Sequence, residues 1–252
     1  MYIDELNCTK KNGYRIRGNV YRPDTDEEEK YPTVIFSHGF GSNYRELQHH
    51  GITFAEAGIN CVFYDFCGGG LMSLSDGHMQ EMTVLTEAED LQAVIREILK
   101  QPYVDQEAFF LMGESMGGFV SAYAAALLQN LVKGLILWYP AFVIPDDSRA
   151  RFDRNDNTCM GHILSPDFNR TAMDIDIYGP MPAFRKPVLI IHGDQDPVVP
   201  LSYSERADML YPDSRLVIMK GAGHGFDGED SRRAGEISAE FMKELSDSLR
   251  GM

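Results

Sequence analysis

The stretch Phe109-Phe110-Leu111-Met112-Gly113-Glu114-Ser115-Met116-Gly117-Gly118 is an apolar run ending in Gly-x-Ser-x-Gly, and an Ala-rich helical pattern follows it. That order predicts buried strand, sharp turn, helix, the setting in which Gly-x-Ser-x-Gly forms a nucleophile elbow. Lifting a serine above the strand ends cramps the backbone. Side chains at Gly113 and Gly117 would collide with neighbouring chain, so hydrogen is the substituent that fits both. The strain leaves Ser115 Oγ exposed, and the helix N-terminus behind it aims N–H groups at a developing oxyanion. Alone, the five-residue pattern is equally a Gly-rich strand-to-helix connection with an incidental serine. The flanking chain has to decide.

Upstream, Tyr2–Cys8 and Tyr14–Tyr21 are extended patterns joined by Lys11-Asn12-Gly13, a hairpin signal. The run Asp26-Glu27-Glu28-Glu29 reads as a solvated link. Thr33–Ser37 predicts a buried strand ending at His38-Gly39-Phe40-Gly41. A helix is expected from about Tyr44 to Ala57, with Asn43 as N-cap and Gly58 as stop. Ile59–Asp65 is the next strand, followed by Cys67-Gly68-Gly69-Gly70 and a polar loop. Thr86-Glu87-Ala88-Glu89 has capping-box form and opens a helix to Lys100. Downstream of the elbow, a helix is read to Gln129 and a buried strand over Val132–Trp138. Val188–Ile191 is a strand ending in His192-Gly193-Asp194-Gln195-Asp196. Ser202-Tyr203-Ser204-Glu205 caps a short helix, Arg215–Met219 is the last strand, and a helix from about Ser231 to Leu249 closes the chain.

Strands alternating with helices predict an α/β fold: a mostly parallel sheet with helices on both faces and the opening hairpin as antiparallel strands. Between Tyr139 and Lys186 the rhythm breaks, with prolines at 140, 145, 166, 180, 182 and 187. Segments this long usually have a function. Phe142, Phe152, Ile163, Leu164, Phe168, Ile175 and Tyr178 supply enough apolar groups to pack. The expected division is a core of 1–138 and 187–252 with 139–186 inserted as a cap over the strand ends. In such sheets ligands bind beyond the carboxyl ends of the strands. Ser115, the Asp194/Asp196 pair, His224 and Phe40 each follow a strand, so all fall on one rim.

A serine hydroxyl needs a base within reach, and the base needs an orienting acceptor. Of seven histidines, His49 and His50 fall on a helix and read as exposed surface, and His38 and His192 end buried strands and read as structural. His78 and His162 sit in polar loops. His224, in Gly221-Ala222-Gly223-His224-Gly225, can project over the rim and is the expected base. Asp196, one step further out than Asp194 and before Pro197, is the expected acid. Asp194 reads as a turn brace. The oxyanion donors are the backbone N–H groups of Met116 and Phe40. No metal or cofactor is expected.

The chain has 252 residues, enough for one large α/β domain. Its net charge of −15 disfavours nucleic acid and anionic membrane as partners. Cys8, Cys61, Cys67 and Cys159 have spacings that suit neither a zinc site nor a disulfide framework. Only Cys67 falls near the expected chemistry. With no signal-like N-terminus and no apolar run of transmembrane length, a cytoplasmic protein is expected. A homodimer is compatible with the sequence.

Together, His38-Gly39-Phe40-Gly41, Gly113-Glu114-Ser115-Met116-Gly117-Gly118, His192-Gly193-x-x-Asp196 and Gly223-His224, in the order Ser, Asp, His, resemble the α/β-hydrolase superfamily over almost the whole chain. Tyr64-Asp65-Phe66, Met82-Thr83-Val84-Leu85 and Glu87 with Glu89-Asp90 look like compact bacterial cinnamoyl (feruloyl) esterases. The resemblance implies hydrolysis of a small-molecule ester through an acyl-enzyme, with the hydroxycinnamoyl ring under the cap. It also implies that an acidic residue soon after the pre-cap strand meets the ring hydroxyl. Asp147 falls there, with Asp146 beside it, and Tyr178 is a further candidate. Glu114 departs from the pattern, standing where relatives have His, and Cys67 stands where they have a polar or basic residue. Alternatives are a monoacylglycerol lipase or short-chain carboxylesterase, a peptidase or amidase, and a ligand-binding scaffold.

Overall fold

The structure, a computed structural model, describes residues 1–24 and 29–250. Of the acidic run, Asp26, Glu27 and Glu28 therefore lie outside the described residues. Strands β1 (Tyr2–Thr9) and β2 (Arg15–Arg22) pair antiparallel through a hairpin in which Gly13 takes φ +89°. Next come β3 (Tyr31–Ser37), α1 (Tyr44–Leu47), α2 (His50–Glu56), β4 (Asn60–Tyr64) and α3 (Val84–Ile98). The elbow joins β5 (Val104–Glu114) to α4 (Ser115–Leu127), and β6 (Gly134–Trp138) follows. Then come α5 (Ile144–Asp153), the short pair β7 (Thr158–Cys159) and β8 (His162–Ile163), and α6 (Pro166–Ala172). The chain closes with β9 (Val188–Gly193), α7 (Ser202–Leu210), β10 (Ser214–Met219) and α8 (Gly228–Arg250). The sheet order is β1-β2-β4-β3-β5-β6-β9-β10, parallel from β4 onward.

Two cores explain the continuous apolar strands. Phe109 and Leu111 of β5 pack on the face covered by α3 and α4, whereas Phe110 and Met112 pack on the face covered by α2 and α8. A strand covered on both faces reads as an unbroken apolar run. Each such fully buried side chain stabilises the fold by roughly 1.5–3 kcal/mol. Parallel pairing puts the carboxyl ends of β3, β5, β6, β9 and β10 on one rim.

Four local expectations are corrected. The helix expected over Tyr44–Ala57 is two helices, α1 and α2, parted at Gln48 and His49. Asn43 does cap the first through Arg45 N–H, and Gly58 takes φ +78° after the second. His50 is not exposed surface: it is 2% exposed, packed between Phe36 and Trp138, with Nε2 3.1 Å from Ser231 Oγ of α8. Helix α3 starts at Val84, because Thr83 and Thr86 exchange side-chain-to-backbone bonds of 3.1 and 2.8 Å, leaving Glu87 to be buried. Ser202 opens α7 without capping it, and Ser204 Oγ instead meets His192 Nδ1 at 2.7 Å.

The 139–186 segment is not bare loop. Besides α5, α6 and the β7–β8 pair it holds one 3-10 turn, Met181–Ala183. Phe142, Leu164, Phe168 and Tyr178 join the main core, while Phe152 and Ile163 stay exposed. Among the described residues, no helix is long and apolar enough to cross a membrane, and no cluster of His, Cys, Asp and Glu has the form of a metal site.

Candidate active site

Helix α4 begins at the residue after β5 ends, so the direction of the chain reverses at Ser115 itself. Ser115 has φ +50°, a left-handed conformation that costs roughly 1–3 kcal/mol for a non-glycine residue. The surrounding glycines make the turn sterically feasible. A Cβ at Gly113 would lie 2.2 Å from Gly117 O, and one at Gly117 would lie 2.2 Å from Ser37 O. The elbow is thus clamped against the end of β3.

Ser115 Oγ lies 2.9 Å from His224 Nε2, and His224 Nδ1 lies 2.7 Å from Asp196 Oδ2. Nδ1–H donates to the carboxylate, which leaves Nε2 as the acceptor for the serine O–H. Asp196 Oδ1 accepts from Val198 N and Val199 N, each at 2.8 Å. Burial pushes the Asp196 carboxyl upward, but bonds from His192, His224, Val199 N and Val198 N outweigh it and hold it well below the usual carboxylate range. Asp194 Oδ1 instead accepts from Gly221 N at 2.7 Å and braces the β9 and β10 turns together.

Both Phe40 and Met116 line the cleft at Ser115, and Met116 stands in the first turn of α4, where N–H groups have no intrahelical acceptor. His38 fixes the loop carrying Phe40. Its Nε2 accepts from Phe66 N at 3.2 Å and its Nδ1–H donates to Gly39 O at 2.7 Å.

On the sheet side, the cleft is walled by Phe40, Met116, Val198 and Val199. On the other side Val143, Ile144, Cys159, Met160 and Phe168 come from the 139–186 segment, with Asp147 and Arg151 as the charged members. Asp147 is exposed as a residue, yet partial burial of its carboxyl raises its pKa, and Arg151 opposes that. A larger groove near Glu5, Arg17 and Tyr44 contains no Ser–His pair, so the chemistry is placed at the smaller cleft.

Two residues expected at the substrate, Asp146 and Tyr178, bond to α7. Asp146 Oδ2 accepts from Tyr203 OH at 2.7 Å, and Tyr178 donates to Tyr203 O at 3.1 Å beneath the Arg206 guanidinium. Neither lines the cleft, because each is committed to α7. Cys67 is buried, its N–H donates to Asp90 Oδ2, and burial followed by the Asp90 charge pushes its thiol up to about 12. It supplies no thiolate at neutral pH.

Sequence reasoning missed three contributors. His192 Nε2 lies 3.2 Å from Asp196 Oδ2 while also bonding Val199 O at 3.0 Å, so this strand-end histidine helps seat the acid. The His192-to-Asp196 spacing was the available signal. Arg151 stands one helical turn after Asp147 in α5, a placement visible only once that helix is known. Glu114 reaches Gly39 N at 3.2 Å and Tyr139 OH at 2.5 Å, and no spacing announces either contact.

The family model described as "Serine aminopeptidase, S33" matches residues 28–164, and one described as "TAP-like protein" matches residues 154–245. The chain is 24% identical over 243 residues to the uncharacterized protein YfhR of Escherichia coli O157:H7, covering 95% of this chain and 78% of that protein. It is 32% identical over 108 residues to an uncharacterized 31.7 kDa protein of the Escherichia coli traX-finO intergenic region. That match spans 42% of this chain and 36% of the relative. Among solved structures it is similar to ferulic-acid-bound Est1E from Butyrivibrio proteoclasticus, with TM-score 0.84, 26% identity, and coverage of 98% of this chain and 100% of that one. The chain belongs to the α/β-hydrolase family described as Serine aminopeptidase, S33.

Proposed function

We propose that this protein is a serine carboxylic ester hydrolase acting on small aryl or acyl esters, hydroxycinnamates foremost, by way of an acyl-enzyme. The observation that carries the reading is the unbroken relay from Ser115 Oγ through the His224 ring to Asp196 at the mouth of an apolar cleft. Ser115 attacks the ester carbonyl while His224 takes its proton. Asp196 holds the tautomer and stabilises the imidazolium, and the Phe40 and Met116 N–H groups receive the oxyanion. His224 then gives the proton to the leaving alcohol. A water, deprotonated by His224, releases the acid and restores Ser115.

In this reading residues 139–186 are the cap, and its apolar wall takes the acyl group. The likeness to a structure holding ferulic acid supports an aromatic acyl part. Asp147 is the one candidate for a ring-hydroxyl contact that lines the cleft. The family's description as an aminopeptidase keeps amide hydrolysis as the second reading.

Turnover of methyl ferulate, p-nitrophenyl butyrate, a monoacylglycerol and an aminoacyl amide, with Ser115→Ala as control, tests this. The expected result is fastest turnover of the aryl ester and none in the variant. Wild-type rates in Ser115→Ala would end the serine mechanism, and preference for the amide would favour the peptidase.

A further inference from the structure

Glu114 is the last residue of β5 and the immediate neighbour of the nucleophile. Its carboxylate receives two donors from different parts of the chain. Oε1 accepts from Gly39 N at 3.2 Å, and Oε2 accepts from Tyr139 OH at 2.5 Å. Gly39 immediately precedes Phe40 and packs tightly at the elbow, where a Cβ would lie 3.3 Å from Ser115 Cβ. Tyr139 is 2% exposed and backbone-strained at φ +34°, with its N–H fixed to Ile191 O at 2.7 Å. Its ring packs edge-on against the His224 ring, centroids 4.8 Å apart, and against Phe226 at 4.6 Å.

One carboxylate therefore ties the loop bearing Phe40 N–H to the ring on which His224 rests. We propose that Glu114 is a positioning residue that holds the oxyanion loop and the His224 imidazole in register with Ser115, and that its charge favours the imidazolium formed in the reaction. The proposal rests on the hydrolase reading above. Two converging donors explain the residue type. A carboxylate accepts each donor on its own oxygen, whereas an amide or a neutral imidazole has a single acceptor atom. Charge-assisted bonds of this kind are roughly twice as strong as neutral ones.

The titratable groups facing the carboxylate are Tyr139, His224 and Glu46 of α1. Burial raises the Glu114 pKa, and Glu46 adds to that; the Tyr139 and Gly39 bonds and the His224 charge oppose it.

The test is labelling of Ser115 by a fluorophosphonate, which needs no knowledge of the natural ester. The Ser115 Oγ–P bond forms, the P–F bond breaks, fluoride leaves, and the serine proton passes to His224. Labelling rates and ester turnover are measured across pH for wild type, Glu114→Gln, Tyr139→Phe and the double variant, with a thermal melt of each. Glu114→Gln is expected to slow labelling and kcat about 10- to 100-fold, with KM changed less than about twofold. Its acid-side fall-off is expected to move to lower pH, because the imidazolium has lost a carboxylate neighbour. Tyr139→Phe keeps the ring against His224 and loses one bond, so a slowing of about tenfold is expected, and the double variant should be no slower than Glu114→Gln.

A residue that only stabilises the fold would lower the melting temperature without moving the pH profile. Wild-type labelling in Glu114→Gln, or an unmoved acid-side fall-off, overturns the proposal. Should Glu114→Gln fail to fold, wild-type labelling in Tyr139→Phe overturns it equally. Wild-type protein that resists labelling at Ser115 defeats the hydrolase reading first, and this inference falls with it.

Discussion

Replacing Glu87 by glutamine should stabilise the protein, and by more as the pH rises. Glu87 lies on α3, is fully buried, and has no hydrogen-bond partner on either carboxylate oxygen among the described residues. Asp90, one turn further along, is also buried but is ion-paired with Lys10 and accepts from Cys67 N at 2.7 Å. Burial, and then the Asp90 charge, push the Glu87 pKa well above 4.5, with Lys10 opposing. The native state therefore keeps a proton that the unfolded chain releases above pH 4.5. Stability from this group is fully present below that pH and falls as pH rises toward the folded value, by about 1.4 kcal/mol per pH unit.

Glutamine has the same shape and never ionises, so Glu87→Gln should escape that loss. Near pH 4.5, where Glu87 is protonated in the native state, the two proteins should be nearly equal in stability. Above pH 4.5 the gap should widen in favour of the variant by up to about 1.4 kcal/mol per pH unit for as long as native Glu87 keeps its proton. Each kcal/mol gained corresponds to roughly 2–4 °C in melting temperature for a chain of this size. Urea denaturation at pH 5, 6 and 7 reads it directly, because Trp138 is the only tryptophan and is 1% exposed. A stability difference that stays constant with pH, or a variant less stable at pH 7, would refute the assignment of Glu87 as a protonated buried acid.

Asp196→Asn is expected to lower kcat by about 10⁴-fold with the fold retained. Val198 N and Val199 N would hold the amide oxygen, turning the NH₂ group toward His224 and forcing the tautomer that cannot accept the Ser115 proton; an ester-turnover assay checks it. Gly117→Ala would place a Cβ 2.2 Å from Ser37 O and 2.4 Å from His38 O, both backbone atoms. The expected cost is about 3 kcal/mol, or roughly 6–12 °C of melting temperature, and an unchanged melt would contradict the clamped elbow.

The proposed nucleophile, base and acid were legible because each stands where a strand runs out and a close-packed turn begins. That arrangement needs only local residues, Gly-x-Ser-x-Gly at the elbow and glycines flanking His224, together with the rule that parallel strands share one rim. The cleft's far wall was less legible. Prolines at 145 and 166 read as breakers, yet both stand in the first turn of a helix, α5 and α6, where the missing N–H has no partner to lose. Ser165, which caps α6 through Asp167 N, was the overlooked cue. Asp146 and Asp147 were inseparable in sequence. Only the pitch of α5 decides that one turns to Tyr203 and the other lines the cleft. The burial of His50 was illegible for another reason, since it depends on Trp138 and Ser231, distant in sequence.

The two carboxylates around His224 show why residue type alone does not assign a role. Asp196 and Glu114 are both largely withdrawn from water, and burial pushes both carboxyls upward. Asp196 has two imidazoles and two backbone N–H groups to offset that, and its pKa ends well below the usual value. Glu114 has one backbone N–H, one phenol and the more distant His224 charge, and its pKa ends above the usual value. Fewer converging donors and deeper burial together set Glu114 apart from Asp196. A carboxylate held ionised under Nδ1 suits the permanent orienter of His224. One set behind the elbow, accepting from Gly39 N–H and the Tyr139 hydroxyl, suits a brace whose charge is felt most when His224 becomes positive.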